Sequence, residues 1–170
     1  MGMKKSNVKK MQSKAKPTEI TALILEDHKP LKKLIKILKD DEESFAKRKK
    51  AFEQFAPLLT IHAKSEERAL YTRMKEEDEL RVEGLEGDTE HHIADQLANE
   101  IKAISDEDEF TAKAKVLAEL VEHHIEEEEK EMLKEVRKEI SLEERKEIGQ
   151  DYLRLKEEVA AEEAPEVRAA

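Results

Sequence analysis

One pattern occurs twice in this chain and limits what it can fold into. His28 is followed by Leu31, Leu34, Ile35 and Leu38, and 34 residues after it comes His62, with Glu66 four further on. His91 is followed by Ala94, Leu97, Ala98 and Ile101, and 33 residues after it comes His124, with Glu128 four further on. Apolar residues at +3, +6, +7 and +10 share one face of an α-helix. Residues four apart on a helix point within about 40° of one another. Each of these histidines therefore replaces an apolar residue in a core stripe, and on the second helix of each pair a glutamate does the same. A duplicated helix pair with the same three polar residues turned inward is the architecture this demands.

Composition agrees. The 170 residues are 44% charged and 4% aromatic, with four glycines and four prolines, as expected of one all-α domain with long solvated faces. The absence of cysteine excludes disulfides, thiolate zinc sites, iron–sulfur clusters and a cysteine nucleophile, and is consistent with a reducing, cytoplasmic compartment. No run of about 18 apolar residues is present, so no membrane span is expected. A net charge of −10 argues against general affinity for nucleic acid. The first sixteen residues hold six lysines and no acid and read as part of a disordered basic tail, residues 1–17, rather than a polyanion contact. They lack the apolar stretch of a secretory signal, and the fit of Met1-Gly2 with Ser6 to a myristoylation pattern reads as chance or an expression remnant.

The elements follow from caps and breakers. Pro17-Thr18-Glu19 opens a first helix running to about Asp40, and Asp40 to Ser44 supplies caps for a second reaching about Glu77. Pro57 inside the second helix removes a backbone hydrogen bond or bends it. Its inner stripe is expected to hold Phe52, Phe55, Leu59, His62, Glu66 and Ala69. Residues 78–88, with Gly84 and Gly87, read as the longest connection, and Asp88 or Thr89 as the cap of a third helix ending near Ile104. Asp106 with Glu109 is a capping box before a fourth helix. Ser141 with Glu144 opens a fifth, to about Val159, with Leu142, Ile148, Tyr152, Leu153 and Leu155 packing across the outside or end of the bundle. The expectation is an antiparallel up-down-up-down four-helix bundle over residues 18–138, with an additional C-terminal helix and a frayed tail over 139–170.

Burying these side chains has a chemical consequence. An unpaired carboxylate in a core costs several kcal/mol, and four core imidazoles need partners too. Two cations would offset both costs, and a donor set of four imidazoles and two carboxylates suits non-haem iron, with manganese or zinc as other choices. A lone core histidine is usually hydrogen-bonded structure, and a surface His-x-x-x-Glu pair is usually a helix contact; the recurrence of all three residues in both halves is what favours metal. His92 and His123 sit about 100° round their helices and read as surface residues. The run from Glu126 to Glu129 with Glu131 reads as a solvated face apart from Glu128. Glu67 reads as exposed or as an extra partner of the site, and Tyr71 as core or as a neighbour bonded to it.

The quoted pieces, Glu26-Asp27-His28, His62 to Glu66-Glu67 with Leu70-Tyr71, Glu90-His91 and His124 to Glu128, resemble the hemerythrin-like, HHE cation-binding family. The resemblance implies a four-helix bundle holding two iron ions through His28, His62, Glu66, His91, His124 and Glu128. The glutamates would bridge the ions, the histidines would be terminal ligands, and an oxo or hydroxo group would complete the bridge. Oxygen-carrying members have a histidine where this chain has Asp95, and an aspartate five residues after the fourth-helix histidine rather than Glu128 at four. The chain is thus more similar to the bacterial cation-binding branch, with a pair that binds or senses oxygen, peroxide or nitric oxide. An oxidase or peroxidase-like detoxifying activity and an iron-sensing interaction module are the alternatives. A ferritin-like carboxylate bundle is disfavoured, since no histidine has a glutamate three residues before it.

Overall fold

The computed structural model describes residues 18–164. Five helices and, among the described residues, no strands form an antiparallel four-helix bundle with an extra C-terminal helix. Helix α1 is Ile20–Lys39 and α2 spans 45–74. Helix α3 is Arg81–Lys102, α4 spans 107–139 and α5 is Leu142–Glu163. The basic tail and the last six residues lie outside the described part; residues 161–163 still belong to α5.

Local chemistry sets the boundaries. Ser44, Asp106 and Ser141 cap α2, α4 and α5 by accepting the backbone N–H groups of Lys47, Glu109 and Glu144. Arg48, buried, donates to the carbonyls of Leu38 and Asp40, supplying partners for the end of α1. Pro57 and Pro30 both sit on exposed faces, where a missing N–H is least costly, and the helices run through them.

Helix α3 corrects the expectation of a loop over 78–88. It starts at Arg81, so Asp88 and Thr89 lie inside it and cap nothing. Gly84 and Gly87 are helical and buried, and both face α2. A Cβ on Gly87 would stand 2.6 Å from the ring carbons Cε2 and Cζ of Tyr71. These glycines permit close helix packing rather than a turn.

Helices α2 and α4 each contain one π turn, Glu67–Tyr71 and Glu128–Met132. The Thr72 N–H reaches the Glu67 carbonyl and the Leu133 N–H reaches the Glu128 carbonyl, five residues back in each case. One residue is thereby inserted into the helical register. After Glu66 the buried residues are Leu70, Tyr71 and Met74; after Glu128 they are Met132, Leu133 and Val136. Both series are at +4, +5 and +8, where an unbroken α-helix would bury +3, +4 and +7. Ala69, expected inward at +3, is accordingly only half-buried.

The apolar core falls into two clusters. One, with Leu31, Ile35, Phe52, Phe55, Leu117 and Val121, fills one end of the bundle. The other, with Ile24, Leu70, Tyr71, Leu133, Ile148 and Tyr152, fills the opposite end together with α5. Helix α5 packs along α1 and α2, and Leu142 and Leu153, expected inward, are exposed.

Candidate metal centre

Between the two apolar clusters lies a polar layer. His28, His62, Glu66, His91, His124 and Glu128 are all buried, and the structure brings the six together. Three triads have donor atoms within 4.8 Å of one another: His28, His62 and Glu128; His62, Glu66 and His91; and Glu66, His124 and Glu128. Each carboxylate stands between the halves. Glu128 turns Oε2 to His28 Nε2 at 3.1 Å and Oε1 to His124 Nε2 at 3.5 Å. Glu66 Oε2 lies 3.4 Å from His62 Nε2 and 3.8 Å from His91 Nε2.

The outward nitrogens are all occupied. His28 Nδ1 meets Glu129 Oε1 at 2.9 Å, and His91 Nδ1 meets Glu67 Oε1 at 3.0 Å. His124 Nδ1 meets Glu90 Oε2. His62 Nδ1 donates to the Tyr152 hydroxyl at 3.1 Å, and that hydroxyl donates to Asp27 at 2.6 Å. Acceptors at Nδ1 hold the proton there and leave the Nε2 lone pair facing the interior, the arrangement a ligating imidazole requires. Inside, His28 Nε2, His62 Nε2, both oxygens of Glu66 and Glu128 Oε2 are buried without a hydrogen-bond partner. Buried polar atoms without partners are rare, and five converging on one point fit a cation-binding cavity.

The electrostatics are those of crowded acids and bases out of water. Burial, followed by the neighbouring Glu128, pushes the Glu66 carboxyl well above the usual range. Burial acts the same way on Glu128, but His124 and His28 outweigh it and hold that carboxyl low. Burial, reinforced by His28, drives His62 well down, so this imidazole is neutral. Burial keeps the Tyr71 phenol protonated, and its hydroxyl donates to Glu128 Oε1 at 2.7 Å. Tyr71 also stacks on His91, with ring centroids 5.2 Å apart.

Two grooves reach the layer. One, of about 430 Å³, runs past Leu59, Ala63, Ala94 and Val121 to His62, His91 and His124. The other, of about 590 Å³, is lined by Glu83, Glu86, Glu127 and Glu131 and ends at His124 and Glu128.

Glu129 and Tyr152 depart from the sequence expectation, while Glu67 and Tyr71 each take up a role the sequence leaves open. Glu129 is half-buried and holds His28, not part of a freely solvated face, and Glu67 is the partner of His91. Tyr71 is both core and a hydrogen-bond donor to the cluster. Tyr152, assigned to packing, reaches His62. The signal for the carboxylates was present: Asp27 and Glu90 each precede a lead histidine, and Glu67 and Glu129 each follow a buried glutamate. His92 and Asp95 are exposed, with Asp95 bonded to Asn99, and His123 pairs with Glu127 on the surface at 3.2 Å.

A helical bundle with histidines and glutamates converging at its centre defines a cation-binding class of protein. The family model described as Hemerythrin HHE cation binding domain matches residues 19–136, and the chain belongs to that family. No curated protein and no solved structure matches it significantly. Among the described residues no helix is long and apolar enough to cross a membrane.

Proposed function

We propose that His28, His62, Glu66, His91, His124 and Glu128 hold two iron ions and that the pair binds or senses oxygen or a related small oxidant such as peroxide or nitric oxide. The observation that carries this reading is the split character of the histidines. Every Nδ1 is tied outward, while Nε2 atoms and carboxylate oxygens without partners face one another inside. His28 and His62 would serve one ion, His91 and His124 the other, with Glu66 and Glu128 between them. Six protein ligands would leave room for a small oxidant beside the ions, and iron held there would supply redox chemistry toward it. The chain's own residues bury the six donors, hold the imidazoles in one tautomer and leave a groove of mixed polar and apolar lining by which small molecules reach them.

Tyr71 favours a second reading, an oxidase or peroxidase-like detoxifying enzyme. Its protonated hydroxyl lies 3.4 Å from His124 Nε2 and bonds Glu128, so a proton donor stands at the cluster. An iron-sensing interaction module is a third.

Anaerobic loading with Fe²⁺, elemental analysis and then exposure to air separates these. The leading reading expects two irons per chain and a new visible charge-transfer band that persists. Repeated peroxide consumption moves the assignment to the enzyme. Fewer than one tightly held iron per chain overturns the proposal.

A further inference from the structure

The two halves of the cluster carry matching inward residues but unlike outer partners. Around His91 and His124 the partners are Glu67 and Glu90, and among the described residues neither carboxylate pairs with a lysine or arginine. Neighbouring Arg68 is turned to Glu162, and Lys75 pairs with Asp88 at 2.5 Å. Around His28 and His62 every outer acid is neutralised. Glu129 gives its second oxygen to Lys32 Nζ at 2.5 Å. Asp27, standing where Glu90 stands in the other half, is one methylene shorter and touches no histidine. The Tyr152 hydroxyl fills the gap, and Lys156 Nζ lies 2.6 Å from both Asp27 oxygens. Tyr152 and Lys156 both come from α5, which lies beyond the family-matched segment.

From these contacts we infer that the two cation positions differ in affinity: the His91/His124 side binds first, and α5 sets the weaker His28/His62 side through Tyr152 and Lys156. The inference rests on the proposed reading of the six residues as ligands. A carboxylate at Nδ1 makes an imidazole a stronger donor to metal than a phenol oxygen does. Two uncompensated outer charges also attract a cation where two ion-paired ones largely cancel. Tyr71 acts the other way, since its hydroxyl draws density from Glu128 Oε1 beside His124. That is one charge-assisted hydrogen bond to a carboxylate that faces both sides, against two full charges on this side alone, and the charges dominate. The close fit of α5 keeps Tyr152 in place. A Cβ on Gly149 would stand 2.1 Å from the Thr18 carbonyl oxygen, so the helix lies against the chain entering α1.

Stepwise addition of Co²⁺ to the metal-free full chain in anaerobic buffer, followed by visible absorption and calorimetry, tests this. The wild-type chain takes up two Co²⁺ in steps separated by about tenfold or more in affinity. Tyr152→Phe weakens the second step by roughly ten- to a hundredfold and leaves the first unchanged. Lys156→Gln, at a partly exposed side chain, strengthens the second step by roughly two- to tenfold. Glu67→Gln weakens the first. Leu153→Ala, on the exposed side of α5, leaves both alone. Equal affinities in the wild type overturn the inference, as does a first step that moves with Tyr152 or Lys156. A Tyr152 that serves only to hold the fold would lower both steps together, which also overturns it. Binding of fewer than two Co²⁺ by the wild type removes the ligand reading itself and this inference with it.

Discussion

Four residues before His28 stands Ile24; four before His91 stands Gly87. Five residues after Glu128 comes Leu133; five after Glu66 comes Tyr71. Where α1 meets α4 the interior is thus filled by an isoleucine and a leucine, and where α2 meets α3 by a glycine and a tyrosine, all buried. The glycine and the tyrosine are one feature, because any Cβ at 87 would collide with the phenol ring. Tyr71 of the first half places a hydroxyl on Glu128, which its counterpart Leu133 cannot do, and of the four histidines only His62 meets a hydroxyl from α5. The inward pattern of a duplicated site can thus stay symmetric while each half acquires its own outer chemistry.

The largest effect is expected at the residue both halves share. Glu128→Gln keeps the shape but cannot carry the charge that faces His28 and His124, so cation content should fall from two to one or none. Affinity for any remaining ion should fall about a hundredfold, read by elemental analysis and Co²⁺ binding. A variant that retains two tightly held ions rules out a bridging role.

Next in size is the glycine–tyrosine pair. Gly87→Ala should cost about 1–3 kcal/mol of stability through overpacking, measured by chemical denaturation of the metal-free chain. In a Tyr71→Leu background, which imitates Leu133, the same change should cost little, giving a coupling of at least about 1 kcal/mol. Additive costs would mean that Gly87 is not there for the ring.

A smaller effect links protons to metal. Burial and Glu128 keep a proton on Glu66 well above the usual carboxylate range, and a ligating carboxylate must be ionised. Below the raised pKa of Glu66, cation uptake should release a proton into weakly buffered solution, and affinity should rise with pH until that pKa is passed. Uptake without acidification would place Glu66 outside the ligand set.

The smallest effect sharpens the contrast within α4 itself. His123 and Glu127 have the same spacing as His124 and Glu128, one residue earlier, but their side chains are 66% and 55% exposed. His123→Gln should change stability by less than about 0.5 kcal/mol and leave cation content untouched. Loss of a cation would show that the wrong register had been assigned.

The inner cluster was legible because helical period decides which residues face a core, and six polar residues in apolar stripes stand out in both halves. The outer shell was harder to see. Glu67, Glu90 and Glu129 lie next to inner residues in sequence, about 100° round the helix, where a lone helix shows water. Packing in the bundle turns that face toward the histidine of another helix, a contact that spans 24, 34 and 101 residues of sequence respectively. The start of α3 was missed because glycine reads as a breaker, while here it answers a neighbour's side chain. The π turns gave no local sign, and they account for the misplacement of Ala69.

The order of residues alone determined five helices, the inward stripes of the first four as far as the π turns and the convergence of two mirrored triads, since all three depend on spacing along the chain. Tertiary packing alone decided which acid holds which imidazole, where the glycines let α2 and α3 close together, and that α5 contributes a hydroxyl to the centre. Those contacts join residues far apart in sequence, and their distances and desolvation exist only once the helices have met.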